Sequence, residues 1–146
     1  MHRPEAALVE AYTISYDKII DAVCVAWRGA ISSQKYREGC KELLALALEK
    51  NAKKWIFDAS LVEFIGVDDE KWAKKMWLTE MTATLIHNHT IAYVLSKNSF
   101  SRAAVNTINQ FLMKKHQETI EITERYFNTL LEARAWLFEN LEIDLD

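Results

Sequence analysis

Few residues in this chain have the type and spacing that chemistry needs, and each carries a plainer structural reading beside the chemical one. The two cysteines, Cys24 and Cys40, are too far apart for a C-x-x-C zinc or redox pair and too few for a disulfide framework. Cys24 falls in an apolar run and Cys40 on an apolar helical stripe, where thiols behave as small hydrophobes. His87-Asn88-His89 invites a metal reading. Residues two apart at a helix end diverge, however, and no cysteine or carboxylate lies nearby in sequence to complete a tetrahedral set, so no metal is expected. A helix C-terminus favours a cationic histidine without one. Asp68 and Asp69 are adjacent, and neighbouring side chains on a helix point about 100° apart, so they do not share a proton and a capping role is simpler. Asp58 closes a predicted strand, a location where α/β domains bind ligands; its other reading is an acid that organises the following turn. With only three glycines, the chain has neither a P-loop nor a G-x-G-x-x-G fingerprint, and no cofactor is expected.

The elements that must position these residues follow from hydrophobic periodicity. Tyr12 to Tyr16 and Asp21 to Trp27 read as two strands joined at Tyr16-Asp17-Lys18, with Arg28-Gly29 ending the second. A helix runs from Ser32 or Ser33, with a serine N-cap, to about Asn51, and Tyr36, Cys40, Leu43, Leu44, Ala47 and Leu48 form its core-facing stripe. Gly39 interrupts this helix at a cost of about 1 kcal/mol and marks a close approach, to the sheet or to a ligand. Lys54 to Asp58 is the third strand and Ala59 to Val67 a connection, after which Asp68 or Asp69 caps a long helix to about Asn88. Thr90 to Leu95 is the fourth strand, Ser99 or Ser101 to about Lys115 a third helix, and Ile120 to Thr123 a short edge strand. Asn128 caps a last helix that turns Leu130, Ala133, Trp136 and Leu137 inward. Strands alternating with helices predict an α/β (α+β) sandwich: a four- to five-stranded, mostly parallel or mixed sheet with an opening hairpin and about four helices.

The chain has 146 residues, half of them hydrophobic and 27% charged, with one proline, so a single soluble globular domain over residues 1–146 is expected. Net charge is −3, yet residues 81–117 hold four bases and no acid. Spread over that length, four bases are sparse beside nucleic-acid binders, and no nucleic-acid partner is expected. Residues 1–12 lack the apolar stretch of a secretion signal, and no apolar run approaches the ~20 residues a membrane helix needs. A reducing, cytoplasmic setting without integral membrane association is the expectation.

The succession Ala22–Trp27, Arg28-Gly29, a helix, then Trp-Ile-Phe-Asp-Ala-Ser-Leu-Val-Glu-Phe-Ile at 55–65 and another helix resembles the STAS superfamily, the domain of anti-sigma-factor antagonists. It is more closely similar to the bacterial STAS-like branch grouped with CRAL-TRIO lipid-transfer domains. Arg125-Tyr126-Phe127-Asn128 followed by Glu132-Ala133-Arg134-Ala135-Trp136-Leu137 also fits that branch. The resemblance covers about residues 12–139. In phosphorylated antagonists of this superfamily a strand ending in Asp is followed by Asp-Ser-[Ser/Thr]-Gly, whose first Ser a partner kinase phosphorylates at a helix N-terminus. Here the corresponding positions after Asp58 hold Gly66, Val67, Asp68 and Asp69. Val67 has no hydroxyl, so the phospho-switch does not carry over. Asp68 and Asp69 place permanent negative charge there, as a fixed phosphomimic or as plain helix caps.

The resemblance implies a non-enzymatic interaction module that binds a protein partner or forms a homodimer. The alternative is a lipid or small apolar ligand-binding domain, because five Trp, six Phe and four Met exceed what a small core obviously needs. The long second helix bears two apolar stripes. Trp72, Met76, Thr79, Ala83 and Ile86 form one; Trp77, Met81 and Leu85 lie on the opposite side. The first is expected to face the sheet and the second to form an interface or to be covered within the chain.

Overall fold

The computed structural model describes residues 11–84, 88–96 and 122–145. Five strands, β1 (Tyr12–Asp17), β2 (Ala22–Ile31), β3 (Lys54–Ile65), β4 (His89–Val94) and β5 (Ile122–Phe127), form one sheet in chain order. The β1–β2 pair is antiparallel and every other pair parallel, so this is a mixed sheet of the α+β class. Three helices accompany it among the described residues: α1 (Ser33–Lys50), α2 (Val67–Thr84) and α3 (Leu130–Leu145). The sequence predicts about four; the one over Ser99–Lys115 lies outside the described residues.

Two hydrophobic layers sandwich the sheet. On one face Val23, Val25, Trp27, Trp55, Ile91, Tyr93 and Ile122 are buried together with Tyr36, Cys40, Leu43 and Ala47 of α1 and Ala73 of α2. On the other, Ala22, Ile56, Ala92 and Val94 meet Ala133 and Leu137 of α3, with Ile20 of the hairpin turn. The split follows from strand alternation: odd residues of β2 go to the α1/α2 face and even residues to the α3 face.

Several boundaries differ from those predicted. β1 keeps pairing to Asp17, opposite Ala22, so the hairpin turn falls at 18–21, where Asp21 takes φ 55° and the Asp17 carboxylate accepts the Ile19 amide at 3.1 Å. Arg28-Gly29 does not end β2, which continues to Ile31. β3 does not stop at Asp58 but runs to Ile65, absorbing the predicted connection, with irregularities where Ala26/Arg28 face Asp58/Leu61 and Gly29/Ala30 face Val62/Phe64. Each is a bulge on β3, an extra residue that preserves pairing while bending the strand. Gly29, at φ 76°, sits beside the second. β5 spans Ile122–Phe127, not Ile120–Thr123.

The helix ends show which capping signals win. Ser32 accepts from the Lys35 amide at 3.2 Å and Asn51 closes α1 at φ 51°, both as predicted. Neither Asp68 nor Asp69 caps α2: the helix begins at Val67, and Gly66 offers its carbonyl to the Glu70 amide at 3.1 Å, which leaves both acids in the first turn. Asn128 gives way to Thr129, whose hydroxyl accepts the Glu132 amide at 3.2 Å and donates to the Glu132 carboxylate at 3.1 Å. Gly39 marks a close approach to the sheet: a Cβ there would lie 2.6 and 2.8 Å from ring atoms of Trp27.

Candidate functional site

The position highlighted by the resemblance lies where β3 runs into α2. Pairing of β1 with β2 ends at Tyr12–Trp27 and pairing of β3 with β4 at Asp58–Val94, whereas β2 and β3 stay paired to Ile31–Ile65. The ends of β2 and β3 therefore form a two-stranded ribbon standing past the other strands. One side of the ribbon is buried through Ile31 and Val62. The other side presents Leu61 (63% exposed) and Phe64 (58%), and the helix that follows opens on Val67 (62%). Three large apolar side chains in seven residues thus face solvent, where burying one stabilises by about 1.5–3 kcal/mol.

Beside them stands a fixed carboxylate. Asp69 is 3% exposed and accepts from the Ser33 hydroxyl at 2.8 Å and from Arg37 Nε at 3.1 Å, which ties the first turn of α2 to the first turns of α1. Arg37 also lies over the Trp72 ring, 5.1 Å from its centroid. Asp68 stays exposed. The two acids thus play different parts: Asp69 is an interhelical tie and Asp68 a surface charge. Asp58 organises its bulge, accepting the Ser60 amide at 3.0 Å and the Ser60 hydroxyl at 2.7 Å. Between Phe64 and Trp72 no residue carries a hydroxyl.

The α3 face holds a second concavity. Because β2 carries only Ala22, Cys24 and Ala26 there, α3 leaves a furrow of about 500 Å³ over β1–β3. Across the sheet the register sets Ser15, Cys24 and Ile56 in one row and Thr13, Ala26 and Asp58 in the next. Leu130 and Arg134 of α3 form the far wall. The Arg134 Nε to Asp17 bond, at 2.7 Å, closes the lower end and holds the Asp17 carboxyl below its usual range. Burial pushes the Cys24 thiol up to about 11 and that of Cys40 up to about 12, so both are protonated at neutral pH.

The remaining predicted residues are placed apart. His87 lies outside the described residues, and His89 is not at a helix end: it opens β4, buried, and its Nδ1 accepts the Trp55 indole N–H at 3.0 Å. Trp72 and Met76 pack on the sheet-side core around Ala73, whereas Thr79 is exposed. The side chains of Trp77 and Met81, and all of Leu85, lie outside what the structure describes. Sequence reasoning missed Glu124, whose carboxylate accepts the Tyr93 hydroxyl at 2.9 Å and which burial raises to about 7. No sequence signal marks that pair, since the partners come from different strands.

No protein-family model matches the chain, and searches of curated proteins and of solved structures gave no significant match.

Proposed function

We propose that this protein is a non-enzymatic, STAS-like interaction module that docks a protein partner on the β3–α2 corner. The observation that carries the reading is the exposure of Leu61, Phe64 and Val67 around a helix start whose Asp69 carboxylate is tied to Ser33 and Arg37. Apolar side chains clustered on a ribbon beyond the sheet form a hot-spot surface, and a charge held by two bonds presents one geometry with no switch. The protonated thiols and the structural engagement of Asp17, Asp58 and Asp69 favour a binding role over nucleophilic or acid–base chemistry. No helix among the described residues is long and apolar enough to cross a membrane. A cytoplasmic location belongs to the same proposal. The alternative, a lipid or small apolar ligand, has less support, because the furrow that would hold it carries Asp17, Lys18, Asp58 and Arg134 among its walls.

The test places a photo-cross-linking amino acid at position 64 in cells expressing the protein, with position 19 as control, since Ile19 is an equally exposed residue (67%) away from the corner. One predominant adduct from position 64, absent from position 19, is expected. The captured protein, once purified, should bind wild type and lose at least about tenfold in affinity to a folded Phe64→Asp variant. Equal adducts from both positions, or undiminished binding by the variant, would sink the reading.

A further inference from the structure

α3 turns one side to the sheet and leaves the opposite side without a partner. Ala133 and Leu137 are buried against Ala22, Ile56, Ala92 and Val94. At about 100° per residue, with Ala133 at the origin, Leu137 lies at about 40° and Leu131, Ala135 and Phe138 at about 160°, 200° and 140°. All three are exposed, and Leu131, at 75%, is the most exposed large apolar side chain among the described residues. Their spacing of i, i+4 and i+7 is the one by which helices anchor themselves to a facing apolar surface. The charge around this stripe is of one sign. Over Leu130–Leu145 the helix carries Glu132, Glu139, Glu142 and Asp144 against the single base Arg134, which Asp17 engages at 2.7 Å. Glu132 and Glu139, at about 260° and 240°, run along one flank of the stripe. Both are exposed, and no cation among the described residues forms an ion pair with either. Arg125, the other base of this part of the chain, lies over the Phe127 ring instead.

We infer that the outer face of α3 docks a basic amphipathic helix of a partner protein. The apolar stripe of that helix covers Leu131, Ala135 and Phe138, and its lysines or arginines meet Glu132 and Glu139. Charge complementarity selects this occupant over the others. A second copy of the chain fits poorly, because a twofold antiparallel contact between two copies of α3 sets the glutamate flank of one against that of the other, and like charges facing across an interface oppose association. An anionic membrane surface is repelled on the same ground. The stripe lies on a different element from the β3–α2 corner, and neither reading depends on the other.

The test is an NMR titration of the isotope-labelled full chain with two synthetic helical peptides of about 18 residues, which share one leucine stripe and carry either lysine or glutamate beside it. The lysine peptide is expected to bind at least about fivefold more tightly than the glutamate peptide and to shift the α3 amides around Leu131, Ala135 and Phe138. Leu131→Gln removes an exposed anchor without altering charge and should weaken the lysine peptide at least about fivefold, whereas Phe64→Gln at the corner should leave its binding unchanged. Glu139→Lys should bring the two peptides to within about twofold of each other. The two-peptide comparison on wild type stands without the variants, so misfolding of any of them leaves the proposal falsifiable. Equal binding of both peptides, shifts confined to other elements, or no binding by the folded protein up to about 1 mM peptide overturns it. So does a dimer in sedimentation that Leu131→Gln dissociates, or binding to phosphatidylcholine vesicles that the same substitution abolishes.

Discussion

Replacing Gly39 by alanine pits two effects of known sign against each other at one carbon atom. Alanine in a helix interior is favoured over glycine by about 0.8–1 kcal/mol, and α1 is a regular helix of 18 residues around this position. The added Cβ, however, would sit 2.6 and 2.8 Å from Trp27 ring atoms and 3.1 Å from Tyr12 Cδ2. Neither ring can simply move away. Trp27 is buried between Tyr12 and Tyr36, with ring centroids 5.5 and 4.8 Å from its own, and the Tyr12 hydroxyl is held by Glu38 and Glu42. Ordinary contact requires a displacement of about 1 Å, and overpacking of this kind costs about 1–3 kcal/mol, often more where rings interlock. The clash wins, and Gly39→Ala is expected to lower stability by roughly 1–2 kcal/mol in urea unfolding followed by far-ultraviolet circular dichroism. In a Trp27→Phe background the offending ring atoms are gone, so the same substitution should become stabilising by up to about 1 kcal/mol. An alanine variant as stable as wild type, or one with the same effect in both backgrounds, refutes the argument that a ring contact dictates this glycine.

Three further outcomes follow from buried charge. Asp69→Ala removes charge-assisted bonds to Ser33 and Arg37 and should cost about 2 kcal/mol by urea unfolding, with Asp68→Ala near neutral because that side chain is exposed. Glu124 is raised by burial to about 7, so the folded state holds a proton that the unfolded state has lost. Its contribution to stability therefore falls as pH rises from about 4.5 to about 7, and Glu124→Gln should flatten that part of the stability–pH profile. Asp17 behaves oppositely: hydrogen bonding to Arg134 lowers its carboxyl, so the stability it adds is present above the usual carboxylate range and lost as pH falls through the lowered value. Arg134→Met should lower stability at pH 7 and make the loss below about pH 4 shallower in acid titrations.

Local signals announced much of the architecture, and non-local ones hid the rest. The opening hairpin, the caps Ser32 and Asn51, and the apolar β2 run are short-range features: both caps appear as read, and the hairpin and β2 are present with the turn moved to 18–21 and β2 extended to Ile31. β3 was legible only to Asp58 because its two bulges interrupt the period of two: Trp55, Phe57 and Ala59 share a face, then Val62, then Ile65. A strict alternation stops at the first bulge and mistakes the remaining strand for a connection. The acids of α2 read as caps because capping is the local role of Asp, whereas the partners of Asp69 are 36 and 32 residues away on α1. Likewise the exposure of Leu61 and Phe64 depends on β4 ending opposite Asp58, which no pattern within β3 encodes.

The order of the sheet, in which each strand lies beside its predecessor in the chain, bears on how the molecule is made. During synthesis the hairpin of β1 and β2 emerges first and pairs with no crossover, giving a growing edge on which β3, then β4, then β5 can each dock as it leaves the ribosome. No strand has to wait for a later one to fill a gap between earlier neighbours. The searching distance at each step is one connection long, which keeps the entropy of loop closure small for a sheet that is otherwise parallel. The cost is that each strand, on docking, presents a new unpaired edge until its successor arrives, so a slow stretch of translation after β3 leaves the long β3 edge open to a neighbouring nascent chain.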